Sequence, residues 1–256
     1  MSLTRTANLF YDGLLALAYP QSCQVCGCSV EARRLGVACA RCWEETRLFT
    51  GGDIVCWKCG TPSKGTTAFE KRDQVRCRVC EDDNFTAARA CGVYEGALRA
   101  SVLALKRAPY LSQFMMALLL KACQQVPLNA ATLVIPVPLH PLREKARGYN
   151  QAAVLGHELA RLARLPFDDV SLERIVHSER HRAGMDARGR RETVDKAFAV
   201  RRPRFIEGER VLLVDDVFTT GATVSSCAAA LMAVGAKEVF VLTVARTLPT
   251  RVISSV

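Results

Sequence analysis

From Ala87 onward the chain alternates two kinds of apolar pattern. Ala90–Tyr94 reads as a first strand, and Leu98, Val102 and Leu105 follow it at helical spacing. A second helix is expected from about Leu111 to Val126, ending before Pro127. Thr132–Val137 and Val211–Val214 are short continuous apolar runs, as expected of strands buried on both faces. Leu155, Leu159 and Leu162 mark another helix, and a further one runs from about Ala222 to Val234 and is capped by Gly235. Val239–Val244 closes the series as a strand. Strands alternating with helices predict an α/β fold around a parallel sheet, where ligands bind beyond the carboxyl ends of the strands.

The first 85 residues follow neither pattern. An apolar stretch carrying Leu9, Leu14 and Leu17 ends at Pro20, and Asp12 interrupts it. No small-x-small cleavage site follows, so the expectation is a short amphipathic helix over residues 1–20 and not a signal peptide or membrane anchor. Beyond it the cysteines crowd together, with ten of the chain's 12 lying between Cys23 and Cys91. Four CxxC pairs stand out: Cys23 with Cys26, Cys39 with Cys42, Cys56 with Cys59, and Cys77 with Cys80. A two-residue gap lets both sulfurs of a pair reach one ion, so four pairs predict two closed tetrahedral zinc sites. Gly27 and Gly60 follow two of the second cysteines, where a tight turn favours a residue tolerant of positive φ. Disulfides, an iron–sulfur cluster and cross-braced pairing are the rivals. Sequential pairing is the default, with Cys28 a bystander and Cys91 a buried apolar residue at the start of the first strand. Clustered thiols stay reduced in the cytoplasm, which is the expected location.

Composition adds one fact. The net charge is +10 over 256 residues. Half of that excess lies in Arg174–Arg210, where ten arginines and Lys196 face six acids. Such a surface suits phosphates, whether of a small ligand or of single-stranded nucleic acid, although arginine-rich helices are often merely solvated faces. Aromatic residues for base stacking are sparse beyond Trp43, Trp57 and a few phenylalanines. The four histidines, His140, His157, His177 and His181, are isolated from one another.

The densest chemistry lies in Asp215-Asp216-Val-Phe-Thr219-Thr220-Gly221-Ala222-Thr223. A buried strand delivers two adjacent carboxylates, then a hydroxyl-rich loop with one glycine opens a helix. Backbone N–H groups at a helix start, with threonine hydroxyls beside them, form an anion cradle. Acids next to a phosphate repel it unless they hold ribose hydroxyls or a metal ion carried by the substrate. A Walker reading fails, because the chain has no GxxxxGK[ST] loop.

This segment resembles the phosphoribosyl pyrophosphate (PRPP) signature of type I phosphoribosyltransferases. In that family the residues matching Asp215 and Asp216 hold the ribose 2′ and 3′ hydroxyls, and those matching Thr219, Thr220, Gly221, Ala222 and Thr223 bind the 5′-phosphate. A second cluster, Val134-Ile-Pro136-Val-Pro138-Leu-His140 leading through Arg143 and Lys145 to Arg147-Gly148-Tyr149-Asn150-Gln151, is similar to the ComF family of competence-associated proteins. Its members join a double zinc ribbon to a phosphoribosyltransferase-like domain. Tyr149 stands where that family usually has phenylalanine, and further departures fall at Ser178, His181 and Thr193, in a variable hood region.

The resemblance implies a zinc-ribbon unit over residues 21–85 and a type I phosphoribosyltransferase-like domain over 86–256. It implies PRPP with Mg²⁺ as ligand, Asp215 and Asp216 as catalytic residues, and Lys106, Arg143, Lys145 and Arg147 as candidates for the pyrophosphate side. Two functions follow: phosphoribosyl transfer to an unknown acceptor, or a weakly catalytic or non-catalytic role in DNA uptake with single-stranded DNA and the competence machinery as partners. Asn150 and Gln151 could equally cap the helix that follows them.

Overall fold

A computed structural model of the chain describes residues 21–63, 69–175 and 197–248. The helix expected over residues 1–20, the positions Ser178, His181 and Thr193, His177 and most of the arginine-rich stretch lie outside the described residues.

Four strands form an all-parallel sheet in the order β1-β6-β5-β2. They are β1 (Ala87–Ala90), β2 (Leu133–Pro136), β5 (Arg210–Phe218) and β6 (Glu238–Arg246). A separate antiparallel ribbon pairs β3 (Leu172–Arg174) with β4 (Phe198–Val200). The helices are α1 (Ala40–Glu45), α2 (Gly96–Leu105), α3 (Gln113–Cys123), α4 (Pro141–Arg147), α5 (Gln151–Ala163) and α6 (Ala222–Ala233). Ser112 caps α3 by accepting from the Met115 N–H at 3.2 Å.

Because side chains alternate along a strand, the sheet separates two apolar cores. Val134, Leu212, Val214, Phe240 and Leu242 pack with α2, α3 and α5 on one face. Ile135, Val211, Leu213, Val239 and Val241 pack with α6 on the other. The cysteine-rich head divides between them. Its first half places Val30, Leu35 and Trp43 in the first core, where the Trp43 ring lies 4.7 Å from Phe114 of α3. Its second half places Cys56, Cys59, Cys80 and Phe85 in the second core.

Three expectations need correction. The first strand is Ala87–Ala90, not Ala90–Tyr94, so Cys91 follows that strand instead of opening it, although it is buried as expected. At Gly92 the chain comes so close to the preceding loop that an added Cβ would sit 2.4 Å from the Arg47 carbonyl, and regular pairing gives way to isolated bridges there. The Val211–Val214 strand extends to Phe218, because parallel pairing with β6 continues through Asp215 opposite Thr243 and Phe218 opposite Arg246. Helix α4 was not expected from the apolar pattern; Pro141 at its first turn and the His140 Nδ1, which accepts from the Leu142 N–H at 3.1 Å, start it.

Both sheet edges are occupied. The Ala88 N–H on β1 donates to the Lys58 carbonyl at 2.6 Å, and on β2 Val134 donates to Pro166 at 2.9 Å and accepts from Asp168 at 3.0 Å. Among the described residues no helix is long and apolar enough to cross a membrane.

Candidate functional site

The two acids lie at the carboxyl end of β5, in the middle of the sheet. As neighbours on a strand they point to opposite faces. Asp216 turns to the α2 and α5 side, where it is buried and its Oδ2 meets Lys106 Nζ at 3.1 Å and accepts from Gln151 Nε2 at 3.3 Å. Lys106 is the C-cap of α2, so its ammonium also sits at the negative end of that helix. The Arg147 guanidinium donates to the Gln151 side-chain oxygen, which extends the series from Arg147 through Gln151 to Asp216 and Lys106.

Asp215 turns to the α6 side, and its Oδ1 accepts from the Asp216 N–H at 2.8 Å. Burial and the Asp216 charge push its carboxyl from 3.8 to about 7, against smaller opposing pulls from the Asp216 N–H and from Lys106. Cys227 of α6 lies on that same face, its thiol held well above the ordinary range by burial and by Asp215.

Three residues further on, Thr219 and Thr220 are exposed, and Gly221 is the N-cap of α6 in the left-handed region with φ 83°. A Cβ on Gly221 would sit 2.8 Å from the Phe218 ring, so the backbone of the loop lies directly on that ring. Ala222 and Thr223 are also exposed at the start of the twelve-residue helix. Exposed threonines around a helix N-terminus offer an anion both N–H groups and hydroxyls.

The segment Arg147–Gln151 forms the wall on the β2 side, whose end adjoins β5 through the Val137 N–H to Val214 carbonyl bond at 2.9 Å. Each of its residues has a distinct task. Gly148, with φ 86°, ends α4 in the left-handed region. The Tyr149 hydroxyl donates to the Leu105 carbonyl, one residue before Lys106. Asn150 both caps α5, accepting from Ala152 N–H at 3.0 Å, and donates from Nδ2 to the Val137 carbonyl at 3.0 Å. Gln151 does more than begin the helix: its amide joins Arg147 to Asp216. Capping chemistry was visible in the sequence; the reach of Gln151 to Asp216 was not. Of the basic candidates, the structure brings Lys106 directly to an acid and Arg147 to it through Gln151. Arg143 and Lys145 are exposed on α4. Two of the histidines have local surroundings of their own: His140 caps α4, and the His157 ring stands edge-on to Phe167 at 5.5 Å.

The eight paired cysteines assemble sequentially. Cys23, Cys26, Cys39 and Cys42 form one tetrad, and Cys56, Cys59, Cys77 and Cys80 the other, with the sulfurs in each within 4.8 Å of one another. Sulfur separations of 3.7 Å (Cys26 to Cys39), 3.6 Å (Cys56 to Cys80), 3.5 Å (Cys59 to Cys77) and 3.4 Å (Cys77 to Cys80) fit a tetrahedral ion. With Zn–S bonds of about 2.3 Å the tetrahedron edge is about 3.8 Å. The tetrads repeat one design. The Cys39 N–H donates to Cys23 Sγ at 3.3 Å, and the Cys77 N–H donates to Cys56 Sγ at 3.3 Å. Gly27 and Gly60 follow the second cysteine with φ 78° and 71°, as their positions in the sequence suggest. Cys28 is exposed and outside both tetrads.

A family model described as "Phosphoribosyl transferase domain" matches residues 150–251. The chain is 39% identical over 115 residues to "Competence protein F" of Haemophilus influenzae, covering 44% of this chain and 49% of that protein. It is 33% identical over 138 residues to "DNA utilization protein YhgH" of Escherichia coli O157:H7, covering 54% of this chain and 60% of that one. The chain thus spans 49% to 60% of the length of these curated relatives. A solved glutamine PRPP amidotransferase from B. subtilis overlaps 57% of this chain and 26% of its own at a TM-score of 0.35 and 20% identity.

Proposed function

We propose, from a chain that fits the ComF family and carries a phosphoribosyl transferase domain, that the carboxyl end of β5 binds PRPP. The observation that carries this reading is the order at that strand end: two carboxylates, then an exposed threonine-glycine loop entering α6, all inside the matched domain. The loop Thr219–Thr223 receives the 5′-phosphate, with N–H groups and hydroxyls as donors. Asp215 and Asp216 take the ribose 2′ and 3′ hydroxyls at the end of the strand, each from its own face of the sheet. Mg²⁺, arriving with PRPP, neutralises pyrophosphate charge and screens the two acids from it. Lys106 and Arg147 flank the opening on the pyrophosphate side, and Arg143 and Lys145 on the adjoining α4 extend the positive charge there.

If the protein transfers phosphoribosyl, the bond from the anomeric carbon to pyrophosphate breaks, pyrophosphate leaves with the electron pair, and an acceptor nucleophile forms the new bond. The chain's share of that step is to fix the 5′-phosphate and ribose while donors facing the leaving group stabilise the developing charge. The two cysteine tetrads hold zinc as closed structural centres, since four thiolates fill the coordination sphere and leave no position for substrate. Residues 21–85 form the ribbon unit and 86–256 the transferase unit, working in the reducing cytoplasm.

The test is a thermal titration of the metal-loaded protein. At a ligand concentration of about 100 times Kd, PRPP with Mg²⁺ stabilises by about 2.7 kcal/mol. In a chain of this size that raises Tm by about 5–10 °C. The double substitution Asp215→Ala/Asp216→Ala removes the shift. If neither PRPP nor pyrophosphate moves Tm in the wild-type protein, the reading is wrong.

The relatives are named for competence and DNA utilization, and a second reading is that the chain serves DNA uptake by binding single-stranded DNA, with the PRPP site a sensor or auxiliary activity. The net charge of +10 supports it. Salt-sensitive binding of a single-stranded oligonucleotide that survives the double aspartate substitution is the result expected under this reading.

A further inference from the structure

The second ribbon runs from Cys80 through Asp83-Asn84-Phe85 into β1; Asp83 lies beside Gly221, Asn84 bonds to Ser225 of α6, and Phe85 packs on Phe218 at the end of β5. The Asp83 N–H donates back to the Cys80 carbonyl at 3.2 Å, so the turn is continuous with the last cysteine of the tetrad. Asn84 then donates twice to the Ser225 hydroxyl in the first turn of α6, from its backbone N–H at 3.0 Å and from Nδ2 at 3.2 Å. Phe85 is fully buried and stands edge-on to Phe218 at 5.9 Å, and Phe218 is the ring on which Gly221 rests. Asp83 Oδ2 lies 3.5 Å from where a Cβ on Gly221 would be.

A second strut comes from the end of β6, on the same face of the sheet. Arg246, at the end of β6, is buried; it donates to the Cys59 carbonyl at 2.5 Å and to the Thr61 hydroxyl at 2.6 Å, with its guanidinium carbon 5.0 Å from the Phe218 ring centre. The backbone carbonyl of Phe218 accepts from the Thr247 N–H at 3.0 Å. Residues on both sides of the loop therefore contact the second ribbon, Ser225 by hydrogen bonds from Asn84 and Phe218 by the Phe85 ring and the ribbon-bonded Arg246. The first ribbon, by contrast, packs in the core on the other face of the sheet, against α3.

A phosphate loop needs only a strand, a turn and a helix start. Here that helix start is also tied to a segment continuous with the last cysteine of the second tetrad. We propose that Asn84 is a positioning residue, coupling occupancy of the Cys56–Cys59–Cys77–Cys80 centre to binding at the Thr219–Thr223 loop. Metal at the second tetrad fixes the Asp83–Phe85 turn, and the turn holds Ser225 and Gly221 at the height a 5′-phosphate requires. Coupling between two binding sites is reciprocal, so the phosphate ligand must hold the metal in place by the same factor. This rests on the reading of the loop as a 5′-phosphate site given above.

The experiment uses the full metal-loaded chain, with ribose 5-phosphate and pyrophosphate as separate probes by calorimetry in Mg²⁺. Ribose 5-phosphate reports on the loop; pyrophosphate reports on the Lys106 and Arg147 side, which Asn84 does not touch. Asn84→Ala weakens ribose 5-phosphate by about fivefold or more and leaves pyrophosphate within about twofold of wild type. In the wild-type protein ribose 5-phosphate slows chelator-driven release of one of the two ions, and in Asn84→Ala that protection is lost. Ser225→Ala, which removes only the acceptor, gives the same pattern and replaces Asn84→Ala if the latter does not fold. Glu31→Ala, which removes the acceptor for the Ala40 N–H at 2.9 Å in the first ribbon, leaves both probes unchanged. Unchanged ribose 5-phosphate affinity in both variants overturns the coupling, and so does an equal loss of both probes, which marks general destabilisation. If wild type binds neither probe, the loop assignment itself falls.

Discussion

Asp215 offers a direct way to weigh the electrostatics of the site. Its carboxyl is pushed from 3.8 to about 7 by burial and by the neighbouring Asp216, so the folded chain favours the protonated form. The folded state binds that proton more tightly than the unfolded state, and stability must therefore fall as pH rises between about 4 and 7. Above pH 7 the full penalty applies, a shift of about three units at 1.36 kcal/mol each, or about 4 kcal/mol. Asp215→Asn keeps the shape and the acceptor for the Asp216 N–H while removing the charge. Relative to wild type the variant gains stability as pH rises, by a further amount of about 2 kcal/mol between pH 5.5 and pH 8. Urea unfolding of metal-loaded wild type and variant at both pH values measures this, and taking the difference between the two proteins cancels the titration of the cysteine centres they share. A stability difference that is the same at pH 5.5 and pH 8 refutes the argument. A ribose hydroxyl that donates to the ionised acid reverses the preference, so ligand binding near pH 6.5 releases protons, seen as a dependence of calorimetric heat on buffer ionisation enthalpy.

Two further outcomes follow from the geometry. Cys26→Ser lowers bound zinc from two equivalents per chain to one, whereas Cys28→Ser keeps both, because Cys28 lies outside the tetrads; metal content by elemental analysis decides it. Gly221→Ala forces a side chain into the left-handed region and against the Phe218 ring at 2.8 Å, which costs about 1–3 kcal/mol in unfolding free energy and removes the rise in Tm proposed for PRPP.

The parallel sheet was legible because its central strands are continuous apolar runs, and the tetrads because CxxC spacing encodes their chemistry in contiguous residues. The limits of β5 were not. Its apolar run stops at Val214, and only pairing with β6, distant in sequence, carries the strand through both acids to Phe218. The consequence for the site is large, since acids inside a strand diverge to opposite faces, whereas acids in a loop need not. The Arg147–Gln151 cluster announced itself as a motif, yet the contact from Gln151 to Asp216 spans 65 positions and depends on α5 packing beside β5. Asn84 gave no signal at all, and nothing in the sequence marked Arg246 as reaching the second ribbon. Their importance comes from where the second ribbon docks, and local spacing says nothing about that.

The covering of the sheet edges bears on how the chain behaves when its metal is lost. A parallel sheet of four strands exposes unpaired backbone groups on its first and last members, a surface that recruits other chains. On β2 the Pro166–Asp168 segment, part of the body itself, occupies that surface. On β1 the Lys58 carbonyl does so, and Lys58 sits between two cysteines of the second tetrad. If the second tetrad holds an ion, its loss would bare this flank of the sheet and leave the other shielded, so that association could proceed from a single side. A metal at the second tetrad would then guard solubility as well as shape.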